Sequence, residues 1–146
     1  MNEYTHTIDC TATPEEVWSV LADLAAVADY DPFVKSATLS GERSGIGARR
    51  DLKLRPFGSM RQEVVGWTPS SIIELRILRG MPVRDAVAFQ RITATESGGS
   101  SLTMGIRFAP KRGLLGKVLG GMTRRRILKG LPRVANGVAA RVEGER

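Results

Sequence analysis

Residues 100–118 read SSLTMGIRFAPKRGLLGKV. In the first half of this stretch Leu102, Met104, Ile106 and Phe108 alternate with Thr103, Gly105 and Arg107. A period of two marks a strand with one face buried. After Pro110 the pattern changes. Leu114, Leu115, Val118, Leu119 and Met122 gather on one side when plotted at about 100° per residue, as a helix requires. The chain therefore leaves the last strand of a sheet and enters a long terminal helix.

Working back from this junction, short turns separate one strand after another. Ser97-Gly98-Gly99-Ser100 forms a hairpin loop behind a strand over residues 84–93, and Gly80-Met81-Pro82 is a loop before it. Ile73, Leu75 and Ile77 alternate with Glu74 and Arg76, and Thr68-Pro69-Ser70-Ser71 turns the chain ahead of them. Residues 60–67 read as a strand whose pattern does not fix its facing. Pro56-Phe57-Gly58 precedes it. Ala48, Arg50, Leu52 and Leu54 alternate with Arg49, Asp51, Lys53 and Arg55, and residues 34–39 form a further candidate before a turn over 41–47. Consecutive strands joined by short turns must pair antiparallel.

At the other end, Tyr4, His6, Ile8 and Cys10 alternate with Thr5, Thr7 and Asp9. Thr13-Pro14-Glu15-Glu16 then opens a helix, with Thr13 as N-cap, Pro14 in the first helical position and Glu16 closing a capping box. Val17, Val20, Leu21 and Leu24 make its apolar stripe. A second short helix is expected over 24–30, ended by Asp31-Pro32. The terminal helix carries a second stripe, Ile127, Leu131, Val134, Val138 and Val142, almost opposite the first. One straight helix cannot bury both against one core. A break near Gly120-Gly121 and a second disturbance near Pro132 are predicted. The segment before the break would be a movable flap, and the segment after it the main packing helix.

The 146 residues suit a single domain, 1–146. No apolar run approaches the roughly 20 residues of a membrane span. Residues 1–6 lack the basic and then apolar regions of a signal peptide, so a cytoplasmic location is expected. One cysteine, Cys10, and one histidine, His6, offer no intramolecular disulfide and no zinc cluster, and no cofactor is implied. The Gly113–Val118 stretch fails the phosphate-loop pattern, with Lys111 where a glycine is needed and Val118 where Ser or Thr is needed.

The order is one strand, two short helices, six strands and a long C-terminal helix. Ala12-Thr13-Pro14-Glu15-Glu16-Val17-Trp18, Asp29-Tyr30-Asp31-Pro32-Phe33-Val34, Arg61-Gln62-Glu63-Val64 with Trp67, and Gly99-Ser100-Ser101-Leu102-Thr103-Met104 occur in that order. With these motifs the whole chain resembles the START/Bet v-like (SRPBCC) helix-grip superfamily, in its polyketide cyclase/dehydrase-like branch. Residues 28–34 also look like the coenzyme-Q-binding branch. The resemblance implies an α+β fold: a seven-stranded curved antiparallel sheet wrapped around a long C-terminal helix, with two short helices between strands 1 and 2. It also implies a cavity between sheet and helix, although a shared fold does not transfer an activity.

Residues expected to face inward are Ile8, Leu52, Leu54, Ile73, Leu75, Ile77, Leu102, Met104, Ile106 and Phe108. Of these, Leu52, Leu54 and Leu75 are candidate ligand contacts. Arg50 shares the face of Leu52 and Leu54. An inward Arg is costly unless paired, so it would meet a ligand carboxylate, phenolate or phosphate, or an ion-pair partner such as Glu63 or Asp85. His6 and Asp85 are the catalytic candidates, with Glu63 as another possible buried acid. Tyr30 and Trp67 are either core residues or stacking surfaces for a flat ligand.

The net charge of +7 leaves a basic surface to explain. Arg126, Lys129 and Arg133, extended by Arg125, lie along one side of the terminal helix. They are either a solvated face or a contact for an anionic membrane. Aromatic residues make up only 5% of the chain, too few for the stacking platforms of nucleic-acid binders. Three functions remain open: carriage of a hydrophobic lipid, quinone or polyketide-like molecule; a cyclase or dehydratase using one cavity acid or base; and an interaction module built on the basic helix.

Overall fold

The computed structural model describes residues 2–144. Seven strands, β1 (Asn2–Cys10), β2 (Val34–Gly41), β3 (Ala48–Leu54), β4 (Ser59–Thr68), β5 (Ile72–Arg79), β6 (Val83–Ala94) and β7 (Ser100–Pro110), form one sheet. Its spatial order is β1-β7-β6-β5-β4-β3-β2, with every pair antiparallel. Helix α1 (Pro14–Ala22) and a 3-10 helix (Leu24–Asp29) carry the chain from one sheet edge to the other. Helix α2 (Gly113–Gly144) lies across the sheet, against β7, β1 and α1. This is the helix-grip architecture.

The curvature has local causes. Register shifts place an extra residue in β2 at Val34/Ser36, in β5 opposite Arg61/Gln62, in β4 at Val64/Gly66 and in β6 at Arg84/Val87. An extra residue on one strand bends it and tightens its twist. These irregularities also explain why β4 and β6 alternate poorly in sequence. In β6 the bulge places Asp85 at a positive φ of 54° and leaves its side chain exposed. The expectation that Asp85 is a buried acid is thereby corrected.

At the start of α1 the capping box forms as read from sequence. The Glu16 amide donates to Thr13 Oγ1 at 3.2 Å, and the Thr13 amide donates to Glu16 Oε1 at 3.1 Å. Thr13→Ala is expected to remove about 1 kcal/mol of stability, measurable as a lower urea midpoint with an unchanged slope. The buried stripe of α1, Val17, Val20 and Leu21, joins Leu24, Val27, Ile73, Leu75, Leu102, Val138 and Val142 in the main core.

Helix α2 is one continuous helix of 32 residues, with Pro132 inside it. The predicted break at Gly120-Gly121 and the separate flap are therefore absent. The first apolar stripe is mostly exposed: Leu114, Leu115, Val118 and Met122 are 81, 71, 53 and 59% exposed, and Leu119 is half-buried. The helix need not turn to hide it. Small residues, Gly116, Gly120, Thr123 and Gly130, form the buried side of this half instead and let it pass close over the structure beneath. A Cβ on Gly120 would lie 3.0 Å from the Pro110 Cβ. Further along, Gly137 faces the Tyr30 carbonyl so closely that a Cβ there would overlap it. Among the described residues no helix is long and apolar enough to cross a membrane.

Candidate functional site: a cavity with a polar inner end

The concave sheet and α2 leave a cavity of about 470 Å³ between them. That lies within the range of small-molecule sites, roughly 300–1,000 Å³. Because strand side chains alternate, one face of each strand supplies the wall. Leu52 and Leu54 come from β3, Met60 from β4, Leu75 and Ile77 from β5, Ala88 from β6, and Met104 and Ile106 from β7. Ile127, Leu131 and Val134 of α2 close the other side.

A small polar group interrupts this apolar lining. Arg50 is only 3% exposed. Its Nε donates to Gln62 Oε1 at 2.7 Å and its Nη1 donates to the Leu24 carbonyl at 3.1 Å. Arg50 and Gln62 are directly opposite across β3 and β4, which puts both side chains on the same face. Beside them stands Tyr30, also buried, whose hydroxyl is close enough to feel the Arg50 guanidinium but makes no hydrogen bond of good geometry. Burial pushes the Tyr30 phenol up from its ordinary value, and the nearby Arg50 guanidinium only partly opposes this. The hydroxyl therefore keeps its proton and remains a donor. Asp31, the one acidic residue on the cavity lining, is raised by burial, against the Phe33 amide and Arg50, which favour its charge. The Phe33 amide donates to Asp31 Oδ1 at 2.9 Å.

A buried guanidinium without a directly bonded carboxylate, next to an unpaired buried hydroxyl, is energetically expensive. Such a pair is well placed to meet a guest oxygen. Removing the hydroxyl should relieve part of the cost. Tyr30→Phe is expected to leave the empty protein as stable or about 1 kcal/mol more stable. Because the folded phenol is raised above 10.0, its contribution is fully present below that value and is lost as pH rises through the folded value. Urea titrations at neutral and strongly alkaline pH should thus show the wild type losing stability that the variant keeps.

The outer end of the cavity is basic. Arg126, Lys129 and Arg133 of α2 line it together with Phe33, Arg55 and Pro56. The Arg133 guanidinium sits 6.0 Å from the centre of the Phe33 ring.

Several residues named from sequence lie elsewhere. His6 is half-buried in register with Met104 but is not part of the cavity lining. Asp85 does not reach the cavity either. Glu63 pairs with Arg49 at 2.6 Å rather than with Arg50. Trp67 packs edge-on against Trp18, centroids 4.9 Å apart. Ile73, Leu102 and Phe108 are buried in side-chain packing, and Ile8 packs at the core margin. Gln62 and Asp31 were not singled out in sequence. Gln62 becomes legible only once the β3–β4 register places it opposite Arg50.

Comparison with known proteins places this geometry. The family model for polyketide cyclase / dehydrase and lipid transport proteins matches residues 1–143. The chain belongs to that family. Among solved structures, the Zhui aromatase/cyclase of a Streptomyces species superposes with a TM-score of 0.85 at 18% identity, covering 97% of this chain and 93% of that one. A protein from Thermus thermophilus gives 0.80 at 14% identity, with 99% of each chain covered. Norcoclaurine synthase from Thalictrum flavum, in complex with a transition-state analogue, gives 0.78 at 13%, with 99% and 95% covered. At these identities the likeness concerns the fold. No curated protein matches the chain. Family membership supports a hydrophobic ligand-binding or cyclase role and leaves the ligand to the chemistry of the cavity.

Proposed function

We propose that this family member binds and carries, in the cytoplasm, a hydrophobic small molecule bearing a carbonyl, hydroxyl or carboxylate oxygen: a quinone, a polyketide-like ring system or a lipid. The observation that carries the reading is buried Arg50 beside the unpartnered Tyr30 hydroxyl, on a cavity whose sheet and helix walls are mainly aliphatic. Apolar burial supplies most of the affinity, at about 25 cal/mol per Å². The polar end fixes orientation by donating hydrogen bonds to the guest oxygen. Leu52, Leu54 and Leu75 form the wall against which the guest packs. Native mass spectrometry of protein purified without denaturation, followed by solvent extraction, tests this. An apolar, oxygen-bearing small molecule should co-purify or be acquired from added 2-naphthol. A protein that stays empty and fails to bind 2-naphthol up to its solubility limit contradicts it.

A second reading, cyclase or dehydratase chemistry, is favoured by one specific feature. Asp31 and Tyr30, both raised by burial, flank the same guanidinium. Arg50 would polarise a substrate carbonyl while Asp31 or Tyr30 exchanges a proton with it. His6 and Asp85, outside the cavity, drop out of this scheme. Asp31→Asn should then abolish turnover of a poly-β-ketone substrate while preserving 2-naphthol binding. Unchanged turnover would remove the enzymatic reading.

A further inference from the structure

We propose that the outward face of α2 docks on an anionic lipid surface and brings the cavity mouth against it. At about 100° per residue, Leu115, Val118, Met122, Arg126, Lys129 and Arg133 fall within roughly 80° of the helix circumference. All six are exposed. The face is therefore continuous: two apolar turns followed by two cationic ones. Leu114 extends the apolar part. Between Lys111 and Val142 the chain has no acidic residue, and among the described residues no carboxylate pairs with Arg126, Lys129 or Arg133.

Two features select lipid as the occupant. Large aliphatic side chains flush with unpaired cations need a partner that is apolar and anionic at the same level, which is the acyl–headgroup boundary of a bilayer. A two-fold dimer through this face would set cation against cation if the helices ran parallel, or bury cations against the apolar turns without a counter-charge if they ran antiparallel about the middle of the face, and an RNA backbone would leave Leu114, Leu115 and Met122 in water. Secondly, the cationic half of the face is also the rim of the cavity. Across the mouth, next to the lining residues Arg55 and Pro56, Phe57 projects with 82% exposure. A bilayer seated on α2 would meet Phe57 as a second apolar contact. A guest could then pass between bilayer and cavity without crossing water. That last consequence rests on the carrier reading; the docking itself does not.

The test is flotation of the full chain with phosphatidylcholine vesicles, with and without phosphatidylserine, at low and high salt. Binding is expected to the phosphatidylserine vesicles only, and to fall as salt rises. The double variant Leu115→Ser/Met122→Ser, at exposed positions off the cavity lining, should bind at least tenfold more weakly. Arg125→Gln, which borders the same face and is off the cavity lining, should lose roughly fivefold. Both variants should keep the wild-type melting temperature and 2-naphthol affinity. Absence of vesicle binding, equal binding to neutral vesicles, or full retention by Leu115→Ser/Met122→Ser overturns the proposal. So does self-association in sedimentation, or RNA binding in filter assays, that the same variant abolishes while vesicle binding persists. Vesicle binding without 2-naphthol binding would instead count against the carrier reading alone.

Discussion

Arg50→Met is expected to lower affinity for 2-naphthol by roughly 10- to 100-fold while changing affinity for naphthalene little. The two probes share an apolar body and differ by one hydroxyl. A hydrogen bond to a charged group contributes about 1.5–3 kcal/mol, which sets the size of the loss. In the wild type the guanidinium is already held by Gln62 and the Leu24 carbonyl, so little ordering remains when a guest arrives. The variant also affects stability in two opposed ways. It removes a buried charge, a gain, and it leaves Gln62 Oε1 and the Leu24 carbonyl without their donor, at about 1–3 kcal/mol each. A net destabilisation of about 1–3 kcal/mol is expected. Fluorescence titration of both probes, with urea melts alongside, separates the effects. If both probes weaken equally, Arg50 supports the fold and does not contact the guest.

The second large effect concerns where α2 is allowed to sit. Gly137→Ala should destabilise the protein by about 2 kcal/mol or more, although alanine is the better helix former by about 1 kcal/mol. The reason is the overlap of any Cβ at this position with the Tyr30 carbonyl. The helix must move away or Tyr30 must shift, and Tyr30 lines the polar part of the cavity. 2-Naphthol affinity should fall together with stability. Gly121→Ala is the matched control. It lies in the same helix, is exposed, and its Cβ would meet nothing within 4 Å. It should raise stability by up to about 1 kcal/mol. Opposite signs for two identical substitutions in one helix would be hard to obtain from helix propensity alone.

Much of the fold was readable because its elements obey local rules. The β7 alternation, the Thr13 capping box and the even-numbered face of β3 depend only on nearest neighbours in sequence. The site was less readable because it depends on pairs distant in sequence. Arg50 stood out as an inward charge on an apolar face, but its partners Gln62 and the Leu24 carbonyl lie 12 and 26 residues away. Asp31 read as a turn residue because Asp-Pro is a turn signal. Asp85 misled because residues 84–93 alternate too poorly to fix their facing, and the bulge that spoils the alternation leaves Asp85 exposed. In α2 the error was one of premise. Two apolar stripes were both assumed to be buried, whereas the first faces outward.

The most direct measurement uses the methionine methyl groups. Met60, Met81 and Met104 line the cavity, whereas Met122 is on the exposed face of α2. With [13C-methyl]-methionine protein titrated with 2-naphthol, the Met60 and Met104 signals should shift saturably and Met122 should stay in place. Shifts confined to Met122, or no saturable shift at Met60 and Met104, would contradict a guest held between the sheet and the helix.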